Sequence, residues 1–125
     1  MTAVLAGAVA ACGGGGGGSS PTAPSGGGGG GTGPVGATVT ITSTGTNSVT
    51  VNVGQSVAIV NNDSRTHNIA SNPHPAHTDC PALNVGILSP GQSKTTAAFT
   101  AARTCGFHDH DDPGDSRWMA QVTVR

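Results

Sequence analysis

The chain has 125 residues, with five Lys and Arg against six Asp and Glu, and only 9% of its residues are charged. Ordinary globular chains carry roughly 25%, and a nucleic-acid partner would demand a basic patch that this composition does not supply. No run of 18 or more apolar residues is present, so no transmembrane helix is expected.

Residues 1–12, MTAVLAGAVAAC, are apolar and rich in small side chains, and they end at Cys12. This reads as a signal-like segment, although the basic residues that open a secretory leader are missing. The VAAC end resembles a bacterial lipobox. It implies lipidation at Cys12, a membrane anchor, a longer leader upstream, and a periplasmic or cell-surface location. Residues 13–36 are a Gly/Ser/Pro-rich tether holding most of the 21 glycines. Such a segment behaves as a flexible, disordered coil with a reach of roughly 25 Å. It lacks the Lys and following helix of a phosphate-binding loop.

From Ala37 the texture changes. The runs ATVTITST, SVTVNV, SVAIVNN, SKTTAAFT, ARTCGF and MAQVTVR alternate β-branched and polar residues with period two, between Gly, Asn, Asp and Pro turns. Five to seven short strands over residues 37–125 predict an all-β fold, a single β-sandwich. With one Trp, two Phe and no Tyr, its core is small, and a metal or a disulfide would help to hold it. The polar stretch from Thr66 to Val85, THNIASNPHPAHTDCPALNV, reads as a long loop, and loops of that length are usually functional.

All five histidines fall in two clusters: His67, His74 and His77, then His108 and His110. Cys80 and Cys105 belong to the same two clusters. Imidazole and thiolate are ligands for zinc or copper. The paired spacings of zinc fingers are absent. A His at one strand end and a C-x-x-H at a later one instead suit a His2Cys copper site. The two cysteines left once Cys12 carries lipid can also pair with each other in an oxidising compartment.

Within residues 50–125, VNVGQSVAIVNNDSRTHNIAS, LSPGQS and CGFHDH occur in the order seen in plastocyanin-type cupredoxins, and this region resembles that family. The resemblance implies a Greek-key sandwich and one type 1-like copper ion held by His67, Cys105 and His108. The family's role is one-electron transfer between Cu(I) and Cu(II), with transient docking to a redox partner protein and no enzymatic turnover. Two departures stand out. The family's axial Met precedes by two residues a Gly that opens the last strand. Here Ala120 holds the Gly position and Trp118 the earlier one, while Met119 falls on the opposite face of the strand. The segment NPHPAHTDCP is also foreign to simple plastocyanins. If Cys80 pairs with Cys105, the ligands come instead from His67, His74, His77, His108 and His110, without a thiolate. Copper binding with one-electron transfer is therefore the working expectation; the alternatives are a His-based copper carrier or scavenger with a Cys80–Cys105 disulfide, and a metal-free structural sandwich stapled by that bond.

Overall fold

The computed structural model describes residues 33–125. The signal-like segment 1–12, Cys12 and most of the 13–36 tether lie outside the described residues. The described residues form nine strands: β1 (Val35–Thr42), β2 (Gly45–Thr46), β3 (Val49–Val51), β4 (Ser56–Asn61), β5 (His67–Ser71), β6 (Gly86–Leu88), β7 (Ser93–Thr95), β8 (Arg103–Asp109) and β9 (Ala120–Val124). The single turns Pro81–Leu83 and Ser116–Trp118 are 3-10 helices. β1 begins at Val35, two residues inside the stretch expected to be linker.

The strands form two mixed sheets. The order is β2-β1-β4-β7 in one and β3-β9-β8-β5-β6 in the other. β1 runs parallel to β4, and β3 runs parallel to β9. The expected all-β sandwich is therefore the architecture observed. Its core lies between the sheets, where alternate β-branched residues meet: Val39 and Ile41 from β1, Val57 and Ile59 from β4, Ile69 from β5, and Val122 and Val124 from β9. Phe107 and Trp118 are the largest side chains buried there. Trp118, Ala120, Val122 and Val124 are all buried, as the period-two reading of the last strand required, and Met119 is 44% exposed.

Two segments differ from expectation. The stretch Thr66–Val85 is not wholly a loop: its first part, His67–Ser71, is a strand flanked by β6 and β8. Its polar composition hid it, because His67 and Ser71 are buried although both are polar and hydrogen-bonded. β8 also runs on to Asp109, past the CGF at which the strand was expected to stop.

Cys80 and Cys105 form a disulfide with their Cα atoms 5.8 Å apart, across a sequence separation of 25. Both are buried in the core cluster. Cys80 precedes the Pro81 turn, so the bond fastens the end of the 72–80 loop to β8. Loop-closure entropy for this separation corresponds to about 3.5 kcal/mol. Reduction under non-denaturing conditions is expected to lower the unfolding free energy by about that amount, read as a fall in the urea midpoint. An unchanged midpoint would mean that the bond contributes nothing to the fold.

Candidate metal centre

Strand geometry decides which of the expected ligands can meet. Side chains alternate across a strand, so residues three apart lie on opposite faces. Cys105 and His108 are three apart inside β8. Cys105, Phe107 and Asp109 face the core, while Gly106, His108 and His110 face the other way. His67 shares the core face, because its Nδ1 lies 2.8 Å from Asp109 Oδ2. The expected set of His67, Cys105 and His108 is thus split across the sheet.

Each member of that set has a different fate. Cys105 is bonded to Cys80 and offers no thiolate. His67 is fully buried, with Nδ1 against Asp109 and Nε2 2.9 Å from Asp63 Oδ2. Both of its nitrogens are taken by carboxylates, and Trp118 packs over the ring at 4.6 Å between centroids. It serves as a core cross-link between the bend after β4 and the end of β8, and not as a ligand. Met119 sits by a surface depression with Asn72, Gly106 and Gln121 and is 44% exposed.

His108 does meet other ligands, from the outer face. His74, His77, His108 and His110 each present one nitrogen, and these atoms lie within 4.8 Å of one another. Two imidazoles on one ion can be no more than about 4.2 Å apart, twice a metal–nitrogen bond. Closing the group requires movement of less than about 1 Å. β8 supplies His108, His110 follows directly after the strand's end, and the 72–80 loop folds over them to bring His74 and His77. That loop is held by backbone bonds from Asn72 N–H to Gly106 O, from His77 N–H to Pro73 O and from Asp79 N–H to Asn72 O.

The hydrogen bonds set the tautomers. The Ser71 carbonyl can only accept, so His77 Nδ1–H donates to it at 2.8 Å and leaves Nε2 with a lone pair. His110 Nδ1–H then donates to His77 Nε2 at 2.8 Å. His108 Nδ1 lies 2.7 Å from Asn72 Oδ1, while its buried Nε2 has no hydrogen-bond partner in the protein. A buried orphan nitrogen is uncommon, and here it belongs to the group of four converging imidazoles. His77 adopts φ +52°, a left-handed conformation that costs a non-glycine residue about 1 kcal/mol. Such strain gathers at functional sites.

Burial holds the His108 pKa below its ordinary value of 6.5, helped by the charges of His77, His74 and His110. The cluster therefore disfavours protonation and keeps His108 in the neutral form that a metal needs. On the core side, the hydrogen bond from His67 holds the Asp63 carboxyl below 3.8, against the opposing effect of burial.

Sequence reasoning missed Asp63 and Asn72. Asp63 lies four residues before His67, inside the Asn-rich bend, where it resembles an ordinary turn former. Asp109 sits in a run of acidic residues that reads as solvated, yet it is 1% exposed.

No family model matches the sequence, and no curated protein matches it. Solved structures do. A purple cupredoxin from Nitrosopumilus maritimus superposes with a TM-score of 0.57 at 20% identity, covering 71% of this chain and 99% of that one. A Met-to-Ala variant of amicyanin in the Cu(I) form gives 0.52 at 21% identity, over 72% of this chain and 82% of that one. Oxidised plastocyanin from Dryopteris crassirhizoma gives 0.52 at 20% identity, over 70% and 99%. The fold is that of a plastocyanin-like cupredoxin.

The two shifted groups predict an acid-stability profile for the metal-free protein. A depressed folded-state pKa contributes stability that is complete above the unfolded value and lost as pH falls through the folded one. Urea midpoints should begin to fall below the ordinary His108 value of 6.5 and fall again below 3.8 as Asp63 titrates. Asp115, lowered to about 2 by Arg117, adds to the second decline. His108→Gln should diminish the first decline and Asp63→Asn should diminish the second. A flat profile from pH 8 to 5 in wild type would contradict the assignment of His108.

Proposed function

We propose that this chain is an extracytoplasmic copper-binding domain that holds one ion through His74, His77, His108 and His110, and that it serves as a copper carrier or scavenger. The observation that carries the reading is the convergence of four imidazole nitrogens, one of them the unpartnered, buried Nε2 of His108. Imidazole suits both copper and zinc, and Cu(II) stands above Zn(II) in affinity for such donors. A copper ion there would supply strong binding and a Cu(I)/Cu(II) couple. The chain's own residues orient the rings and exclude water from His108. His110 must shift its proton from Nδ1, which now donates to His77 Nε2, to its own Nε2 before both facing nitrogens can serve as ligands.

A type 1 site does not fit these residues. Its intense colour and its usual electron route depend on a copper–thiolate bond, and Cys105 is bonded to Cys80. The disulfide instead supports an oxidising location, consistent with the lipid anchor proposed at Cys12 and its tether to the membrane. One-electron transfer is the second reading. It draws on likeness to amicyanin and plastocyanin, whose structures are described as Cu(I) and oxidised forms. A transiently docked redox partner would then be required.

Addition of one equivalent of Cu(II) should give weak visible absorption, nitrogen hyperfine structure in the electron paramagnetic resonance spectrum, and no intense orange-red band. Removing a ligand should cost about a quarter of a typical site's binding free energy, so His108→Ala or His77→Asn should weaken binding about a hundredfold. Asn is chosen because it tolerates the left-handed backbone of residue 77. Affinity should fall as pH drops below about 6.5, as imidazoles protonate. An intense charge-transfer band abolished by Cys105→Ser would instead establish the thiolate site. Slow electron exchange with small-molecule reductants would favour the carrier over the electron-transfer reading.

A further inference from the structure

Asn72 lies outside the four imidazoles but touches the group that carries the metal reading. His108 is 2% exposed, so its ring nitrogens have little access to water. Nδ1 has Asn72 Oδ1 at 2.7 Å, and Nε2 has no protein partner. A neutral imidazole carries one N–H. On Nε2 that proton would point into the cluster unpaired, and the Nδ1 lone pair would oppose the lone pairs of Oδ1. On Nδ1 the hydrogen bond is made, and the Nε2 lone pair is presented to the other three rings. The choice depends on which end of the Asn72 amide faces His108, since the NH2 end would select the opposite tautomer.

Gly106 makes room for the end that is observed. It lies two residues before His108 on the same face of β8. A Cβ on Gly106 would come within 2.3 Å of Asn72 Nδ2 and 3.2 Å of its Cγ. The amide therefore occupies the space that any side chain at 106 would fill. Asn72 is also pinned at both backbone ends, by its N–H to Gly106 O at 3.0 Å and by its C=O accepting from Asp79 N–H at 2.9 Å.

Resting on the four-imidazole reading, we infer that Asn72 is a positioning residue for metal binding: seated over Gly106, it fixes His108 in the Nδ1–H tautomer and aims Nε2 at the ion. Partners that orient a ligand histidine in this way typically contribute a factor of about 10 to 100 in metal affinity. Asn72 is solvent-exposed, so water can replace part of its role, and the lower end of that range is expected.

The test uses the full chain, with imidazole 15N chemical shifts measured without metal and Cu(II) affinity measured by competition with a chelator. Wild type should show His108 protonated at Nδ1. Asn72→Ala should lose that preference and bind Cu(II) about tenfold more weakly. Asn72→Asp keeps an acceptor oxygen and should retain both the tautomer and an affinity within about threefold of wild type. Gly106→Ala evicts the amide from below and should match Asn72→Ala. Thermal midpoints identify any variant that fails to fold, and the remaining variants then decide. Wild-type tautomer and affinity in Asn72→Ala would overturn the inference, as would Asn72→Asp binding no better than Asn72→Ala. Wild-type protein that takes up no Cu(II) would overturn the metal site itself, and the 15N shifts would still report whether Asn72 sets the His108 tautomer.

Discussion

The alternation of side chains along β8 is the constraint on which the rest depends. The strand runs unbroken from Arg103 to Asp109 and pairs with β5 through Ile69 opposite Asp109, Ala70 opposite His108 and Ser71 opposite Phe107. Opposite residues in an antiparallel pair share a face. The register therefore sends Cys105, Phe107 and Asp109 inward and His108 and His110 outward. A His2Cys site needs Cys105 and His108 on one side, which a C-x-x-H spacing allows only when the strand ends before the His. Two further residues of strand are enough to divide the two chemistries.

What each face does with its residues follows from its surroundings. The inner face is dry, and polar groups there must find partners. Asp109 and Asp63 enclose His67 between them, while Cys105 closes the disulfide with Cys80. Removing a carboxylate would strand the His67 ring, and reducing the disulfide would free the end of the loop, so both stabilise the packing beneath the four imidazoles. The outer face would be open to solvent but for the 72–80 loop. That loop lays His74 and His77 over β8, buries His108 and leaves its Nε2 without a partner. The disulfide fastens the end of the loop to the strand that carries the other two imidazoles. One covalent bond in the core therefore ties the loop that carries His74 and His77 to the strand that carries His108.

Much of this architecture was legible in the residue pattern. The β-branched alternation marked β1, β3, β4 and β9, and the parity of the last strand correctly placed Trp118 inward and Met119 outward. Of the five clustered histidines, four, His74, His77, His108 and His110, come together in space. β5 was hidden because its buried residues include a histidine and a serine, which look like loop residues until their hydrogen-bond partners are known. Those partners, Asp63, Asp109 and Asn84 among them, come from other segments. Asn72 was hidden for a related reason: its meaning depends on Gly106, 34 positions away in the sequence, leaving a space of one methyl group.

The sequence alone determined the fold class, the near balance of a small number of charges, and the inventory of donors: five imidazoles and the pair Cys80 and Cys105. These depend on composition and on local period, which neighbouring residues carry between them. Only the tertiary structure decided how that inventory is divided. Whether Cys105 meets Cys80 or a metal, and whether His67 joins His108 or turns away from it, depends on where β8 ends and on its register with β5. Those are long-range pairings, and a shift of one residue would have exchanged the two faces and placed every donor on the opposite side.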